Sequence, residues 1–221
     1  MTSIQIVSPS YMGRSVIQHD PRSRDYPVTL ATDQPLRNRT WRRPAPFDQG
    51  QTSSCVGQTM KGLLTTTPFT AHLSPAQRAG LNALDIYRHA QDFDEWPGAN
   101  YDGTSALGAC KYLLSVNLIT GYRWCFGHQQ IIDTISHVGP VGIGVRWLNG
   151  MMFTDPAGFI HATGAEVGGH EVELNGVNVK GKYVLGTNSW GAGWGVKGRF
   201  KLSWDDLAKL VDGDGDAVTF A

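Results

Sequence analysis

Cysteine is scarce in this chain: its 221 residues carry three, Cys55, Cys110 and Cys125. So few cannot build the disulfide framework that holds many small secreted domains together. Long hydrophobic runs are missing too. No apolar stretch approaches the ~20 residues needed to cross a bilayer, and the opening MTSIQIVSPSYMGRS has neither the basic start nor the apolar block of a secretory signal. Net charge is likewise absent, since 19 Lys and Arg balance 19 Asp and Glu. No global field therefore draws the chain to nucleic acid or to an anionic membrane. What is present is length: 221 residues suffice for a sizeable core, as one domain or two closely joined halves.

The most informative stretch is FDQGQTSSCVGQTMKGLL, from Phe47 to Leu64. Gln49 to Ser54 form a polar loop, after which Val56, Met60, Leu63 and Leu64 recur at the spacing of one buried helical stripe. Cys55 thus falls in the first turn of a helix, where unpaired N–H groups and the helix dipole favour an anion such as a thiolate. A single cysteine at a helix start is more often simply packed. Two further stretches favour chemistry. GGHEVELNGV places His170 behind two glycines at the mouth of a strand, and YVLGTNSWGAGWG places Asn188, then Trp190, after another. A sulfur nucleophile needs a base, and the base needs a group that fixes its ring and tautomer.

With QGQTSSCVG, GGHEVELNGV and NSWGAGWGVKGRFKLS together, the chain resembles the papain-like cysteine peptidases, from about residue 37 to the C-terminus. It is most similar to the compact bacterial and phage members that lack a long propeptide. The resemblance implies an α+β fold, a helical half at about 47–127 and a β-barrel half at about 128–221, with the active-site cleft between them and residues 1–46 as an extended N-terminal arm. It implies Cys55 as nucleophile, His170 as general base and acid, Asn188 as the group orienting the imidazole, and Gln49 with the Cys55 N–H as oxyanion donors. Asp102, Gly103, Thr104, Gly169 and Trp190 would contact substrate, with Trp190 also covering the His–Asn bond. A thiolate of lowered pKa is part of that expectation. No cofactor or metal is called for, the partner is a peptide or protein substrate, and the setting is cytoplasmic or virion-associated.

The chain departs from the family pattern at two points. Thr104 stands where a second glycine is usual, placing a side chain against the cleft. Glu171 follows the histidine, where a small residue is usual; alternation along the strand aims it away from the nucleophile, with Glu171 and Glu173 on one face and Val172 and Leu174 on the other. The two acids are expected across from Arg199 and Lys201.

Elsewhere, residues 1–46 hold seven arginines against three aspartates, with prolines and no lasting periodicity, and read as a strand and loop wrapped around the body. Arg22, Arg24 and Asp25 are placed for local pairing. Ser74, Pro75 and Gln77 predict a capped helix with Leu81, Leu84, Tyr87 and Ala90 inward, His89 as a surface or packed histidine, and Trp96, Pro97 and Gly98 past its end. A second helix would bury Ala106, Leu107, Cys110 and Leu114. A third stops at Gly139 and Pro140 before a strand from Val141 to Trp147, and a fourth spans Trp204 to Val211 after a strand whose Phe200 and Leu202 face inward. If Cys55 stays free, only Cys110 and Cys125 are left to pair, and a reducing compartment is the better expectation.

Rival motifs fail on chemistry. HEVEL from His170 has Leu174 where a zinc helix needs its second histidine. DGDGD from Asp212 has Ala217 where a calcium loop needs glycine. Gly191, Gly193 and Gly195 precede a strand, so they are no phosphate cradle. Two other function classes stay open: a cell-wall peptide amidase, separable by assay on peptidoglycan, and a catalytically silent papain-like binding or virion module, separable by any turnover that depends on Cys55.

Overall fold

The computed structural model describes residues 26–29, 34–94, 102–213 and 216–221. The expectations for Arg22, Arg24, Asp25, Trp96, Pro97 and Gly98, and the middle of DGDGD, lie outside them.

Helices dominate the first part of the chain. The central one, α1 (Cys55–Thr65), buries Val56, Met60, Leu63 and Leu64, the stripe its spacing predicts. It packs against α3 (Ala83–Gln91) and α4 (Ala106–Ser115). Before α3 comes the short α2 (Pro75–Gly80), opened by a complete capping box between Ser74 and Gln77. Where one helix was expected there are two. Leu81 leaves helical geometry, and the Asn82 side chain accepts from Leu84 N, starting a new helix. The inward residues of α3 are consequently Ala83, Ile86 and Ala90. In α4 the fully buried leucine is Leu113, while Leu114 is exposed. His89 lies at the surface, 3.4 Å from Asp92 and stacked on Tyr112.

The rest of the fold is a sheet. Besides β1 (Arg39–Thr40), the strands are β2 (Tyr122–Trp124), β3 (Val141–Leu148), β4 (Glu166–Asn178), β5 (Tyr183–Thr187), β6 (Arg199–Ser203) and β7 (Asp216–Phe220). Among the described residues they run in the order β2-β7-β3-β4-β5-β6, with β1 on β4 and every pairing antiparallel. Two helices, α5 (His128–His137) and α6 (Trp204–Val211), pack on it. One core gathers Ile131, Ile135, Trp147, Val172, Leu174 and Phe200 on this side. A second gathers the α1, α3 and α4 residues, and takes Val218 and Phe220 from β7. The sheet is therefore covered on both faces, and its long strand β4 touches α1 on one and α5 on the other.

That double cover corrects the reading of the two glutamates. Glu171 and Glu173 do share a face, but the face is turned to α1. Strand β6 neighbours β5, not β4, so Arg199 and Lys201 are not across from them. Instead Glu173 takes the Arg43 side chain at 2.5 Å and accepts from Thr66 Oγ1 at 2.6 Å, all buried. The segment carrying Arg43 is anchored along its length: Trp41 Nε1 donates to Ile135 O and Arg37 N to Ser136 Oγ.

Candidate active site

Cys55 is the first residue of α1 and is 6% exposed. Ser54 precedes it as the helix N-cap without a side-chain capping bond; its hydroxyl lies 2.7 Å from Thr52 Oγ1 instead. The sulfur thus meets helix N–H groups that its neighbours have not claimed. Backbone N–H groups of Val56, Cys55 and Glu171 bear on it and favour the anion. The Glu171 contact joins the helix start to β4 one residue beyond His170. Burial opposes these groups and wins, pushing the Cys55 thiol up to about 12, with the Glu171 charge adding to the rise. The expectation of a lowered thiol pKa is thereby corrected: the helix start acts in the expected direction, but desolvation in a closed site outweighs it.

The candidate base, on the sheet, is firmly held. His170 lies in β4 and Asn188 just after β5, and the His170 Nε2 to Asn188 Oδ1 distance is 2.8 Å. Asn188 Oδ1 also accepts from Ser189 N at 2.7 Å. An oxygen already taking one N–H can only accept, so the imidazole hydrogen sits on Nε2. That leaves the Nδ1 lone pair, which is buried and has no hydrogen-bond partner among the described residues. Burial holds the His170 imidazole down at about 4, against the smaller upward pull of Asn188. The ring is gripped by two indoles. Trp190 stacks on it at 4.8 Å and Trp147 meets it edge-on at 4.9 Å, and Trp194 backs Trp190 at 5.4 Å.

The loop before Cys55 and the loop after Asn188 are sewn together. Gln49 N donates to Ser189 O, Gly191 N to Phe47 O, and Asp48 bridges to Trp190. Side chains continue the seam: Ser189 Oγ donates to Gln49 Oε1 at 2.6 Å, and Gln49 Nε2 donates to Thr52 O at 2.8 Å. The Gln49 amide is thus fixed in orientation, its oxygen turned to Ser189.

The expected substrate loop is also pinned. Gly103 adopts φ +106, where a side chain would be strained. Its N–H meets Tyr87 Oη and its carbonyl takes Gln91 Nε2. Thr104 turns its hydroxyl inward to Asp94 at 2.6 Å. Asp102 is exposed, and Gly169 is buried within β4 opposite Arg146.

Sequence reasoning missed two residues of this neighbourhood, Ser189 and Trp147, and left open what covers a third, Glu171. Ser189 fixes Gln49, Trp147 braces the imidazole, and Glu171 points beneath α1. For Ser189 a signal existed in its place inside NSWG; Trp147 read only as a strand end. All three cysteines are free: Cys110 lies in the helical core and Cys125 beside Thr134 Oγ1. No metal-binding group of His, Cys, Asp or Glu occurs among the described residues, and none of their helices is long and apolar enough to cross a membrane.

Residues 51–209, which contain Cys55, His170 and Asn188, match the family described as papain family cysteine protease. The chain belongs to that family. Over 99% of its length and 98% of the other chain, with 17% identity and a TM-score of 0.76, this papain-family fold is similar to xylellain, a cysteine protease from Xylella fastidiosa. It is similar also to proCathepsin B S9 from Trypanosoma congolense, with 12% identity, a TM-score of 0.65, and 96% and 87% of the two chains covered. In sequence, 76 residues are 32% identical to cathepsin B-like cysteine proteinase 5 of Caenorhabditis elegans; they make up 34% of this chain and 22% of that one.

Proposed function

We propose that this member of the papain family is an active thiol peptidase that cleaves peptide bonds through Cys55, His170 and Asn188. The observation that carries the reading is the His170 Nε2 to Asn188 Oδ1 bond of 2.8 Å. It commits one ring nitrogen and leaves the other as a base, beside a strand N–H that bears on the Cys55 sulfur.

Burial favours the neutral thiol and the neutral imidazole in the resting site. As Sγ attacks the carbonyl carbon of a bound peptide, its proton passes to His170 Nδ1. The carbonyl oxygen, now an anion, receives the Cys55 N–H and an N–H of the Gln49 amide, which Ser189 and Thr52 hold in orientation. The C–N bond breaks as His170 returns the proton to the leaving amine, and a thioester remains on Cys55. Water then attacks the thioester carbon, giving a proton to Nδ1. The thiol leaves with that proton, and the acid product is free. Trp190, stacked on the ring, excludes water from the His170–Asn188 bond. Asp102, Gly103, Thr104 and Gly169 line the path of the substrate, the 103–104 turn giving it shape while its own polar groups stay bonded to Tyr87, Gln91 and Asp94.

Residues 47–221 form the peptidase domain in this reading, and residues 1–46 an arm that wraps it. The anchoring of Arg37, Trp41 and Arg43 supports a wrap. A fluorogenic peptide library tests the proposal: the wild type cleaves a subset of peptides and Cys55→Ala, equally folded, cleaves none. Equal cleavage by both proteins contradicts it.

A further inference from the structure

Two glutamates leave β4 on the face turned to α1, and they meet different fates. Glu173 is neutralised by Arg43 and bonded by Thr66. Glu171, 5% exposed, has its Oε1 without a hydrogen-bond partner among the described residues. Space for its carboxyl comes from two glycines on β3. A Cβ at Gly144 would lie 2.5 Å from Glu171 Oε2, and one at Gly142 would lie 3.3 Å from Oε1. Thr59 and Leu63 of α1 close the compartment from above, within 3.1 and 3.3 Å of the same Gly142 position.

The register adds a third wall. Gly144 pairs with Glu171 on β4 and with Asp216 on β7, so the two acids stand in one row across three strands, on one face, with no side chain between them. The Gly144 position lies 3.6 Å from Asp216 Cβ. Such a row lets the Glu171 carboxyl reach across Gly144 toward Asp216. Among the described residues, the titratable groups that bear on this compartment are Asp216 from β7, Cys55 from α1 and Cys110 from α4, while the Arg43-paired Glu173 shares the same face of β4.

We propose that Glu171 is a positioning residue for the Cys55 nucleophile: its buried carboxyl shares one row with Asp216 in the closed compartment over Gly142 and Gly144, and a negative charge formed there, behind α1, opposes the thiolate. Desolvation, with the Asp216 charge, holds the Glu171 carboxyl well above the usual carboxylate range, and the Glu171 charge raises the Cys55 thiol. Both directions agree with the geometry. The consequence is an alkaline ceiling on the reactivity of Cys55, set by a residue that touches no substrate.

The proposal rests on the reading of Cys55 as nucleophile but is measured on the sulfur itself. The experiment follows the rate at which iodoacetamide alkylates Cys55 across pH, read by mass spectrometry of the Cys55 peptide, in wild type and Glu171→Gln. At acid pH, where Glu171 carries its proton, the two profiles coincide. As pH rises they part, and the wild type lags by roughly one pH unit, the scale expected of a like charge near a buried thiol. Profiles that superimpose throughout, or differ by one constant factor, overturn the proposal, because a purely structural role gives no pH-dependent divergence. Should Glu171→Gln fail to fold, Asp216→Asn reads the same pair. Removing the neighbouring charge lets Glu171 ionise earlier, so the inflection in the wild-type alkylation profile moves to lower pH; an inflection that stays in place overturns the proposal. Failure of the peptidase reading looks different, since Cys55→Ala would then leave any cleavage intact whatever the alkylation profiles do.

Discussion

The two sides of the cleft are prepared to different degrees. On the sheet side, His170 is fixed in ring plane, tautomer and environment by Asn188, Trp190 and Trp147. On the helix side, Cys55 has backbone N–H groups near its sulfur and little else, and burial keeps it a neutral thiol. In the proposed mechanism, the difference means that the proton acceptor is preorganised and the nucleophile is not charged in advance. Its anion forms only as the acceptor takes the proton, so reactivity at Cys55 belongs to the pair and not to the cysteine. The other two cysteines make the same point. Burial raises both, and Cys125 reaches about 12 as Cys55 does, so ease of ionisation alone does not set Cys55 apart.

The comparison breaks most sharply if either side is removed. Cys55→Ala and His170→Ala each lower kcat/KM by roughly 10⁴-fold or more, and the double variant is no worse than either single one, because the groups act as a unit. Steady-state cleavage of the best library peptide checks this. Asn188→Ala leaves both reacting groups in place but frees the ring; kcat falls by roughly 10²- to 10⁴-fold with KM little changed. Gln49→Ala removes one oxyanion donor and costs about 10²- to 10³-fold in kcat. Ser189→Ala, which only releases the Gln49 amide, falls in the same direction by less.

Stability sharpens the contrast further. Arg43→Ala strands the buried Glu173 carboxylate and lowers unfolding free energy by about 3 to 5 kcal/mol in urea denaturation. A smaller effect comes from pH. The folded-state pKa of His170, about 4, lies below its unfolded value, so between roughly pH 6.5 and 4 the unfolded chain binds the extra proton and stability falls as pH falls. The contribution is present above pH 6.5 and amounts to at most about 3 kcal/mol. Replacing His170 with Phe flattens that part of the stability profile.

The candidate residues stood out in the sequence because each sits where local periodicity changes. Cys55 follows a polar loop and opens a helical stripe, His170 follows glycines into an alternating strand, and Asn188 ends another. What the sequence hid was tertiary. Alternation correctly paired Glu171 with Glu173 and Val172 with Leu174, but it names faces, not what covers them. The helix on the glutamate face reversed the meaning of both acids. The balance at Cys55 was hidden for the same reason, since a helix start can be read from sequence while the degree of desolvation cannot. At Leu81 and Asn82 a local cap overrode a longer apolar rhythm, which periodicity alone does not reveal.

The central claim is that Cys55 owes its reactivity to His170. The most direct measurement is the rate of iodoacetamide alkylation at Cys55, Cys110 and Cys125 at pH 7, in the wild type and in His170→Ala. Cys55 is predicted to label far faster than the other two in the wild type and to fall to their rate once the imidazole is gone. Equal labelling of all three in the wild type, or a Cys55 rate unchanged in the variant, would contradict the account.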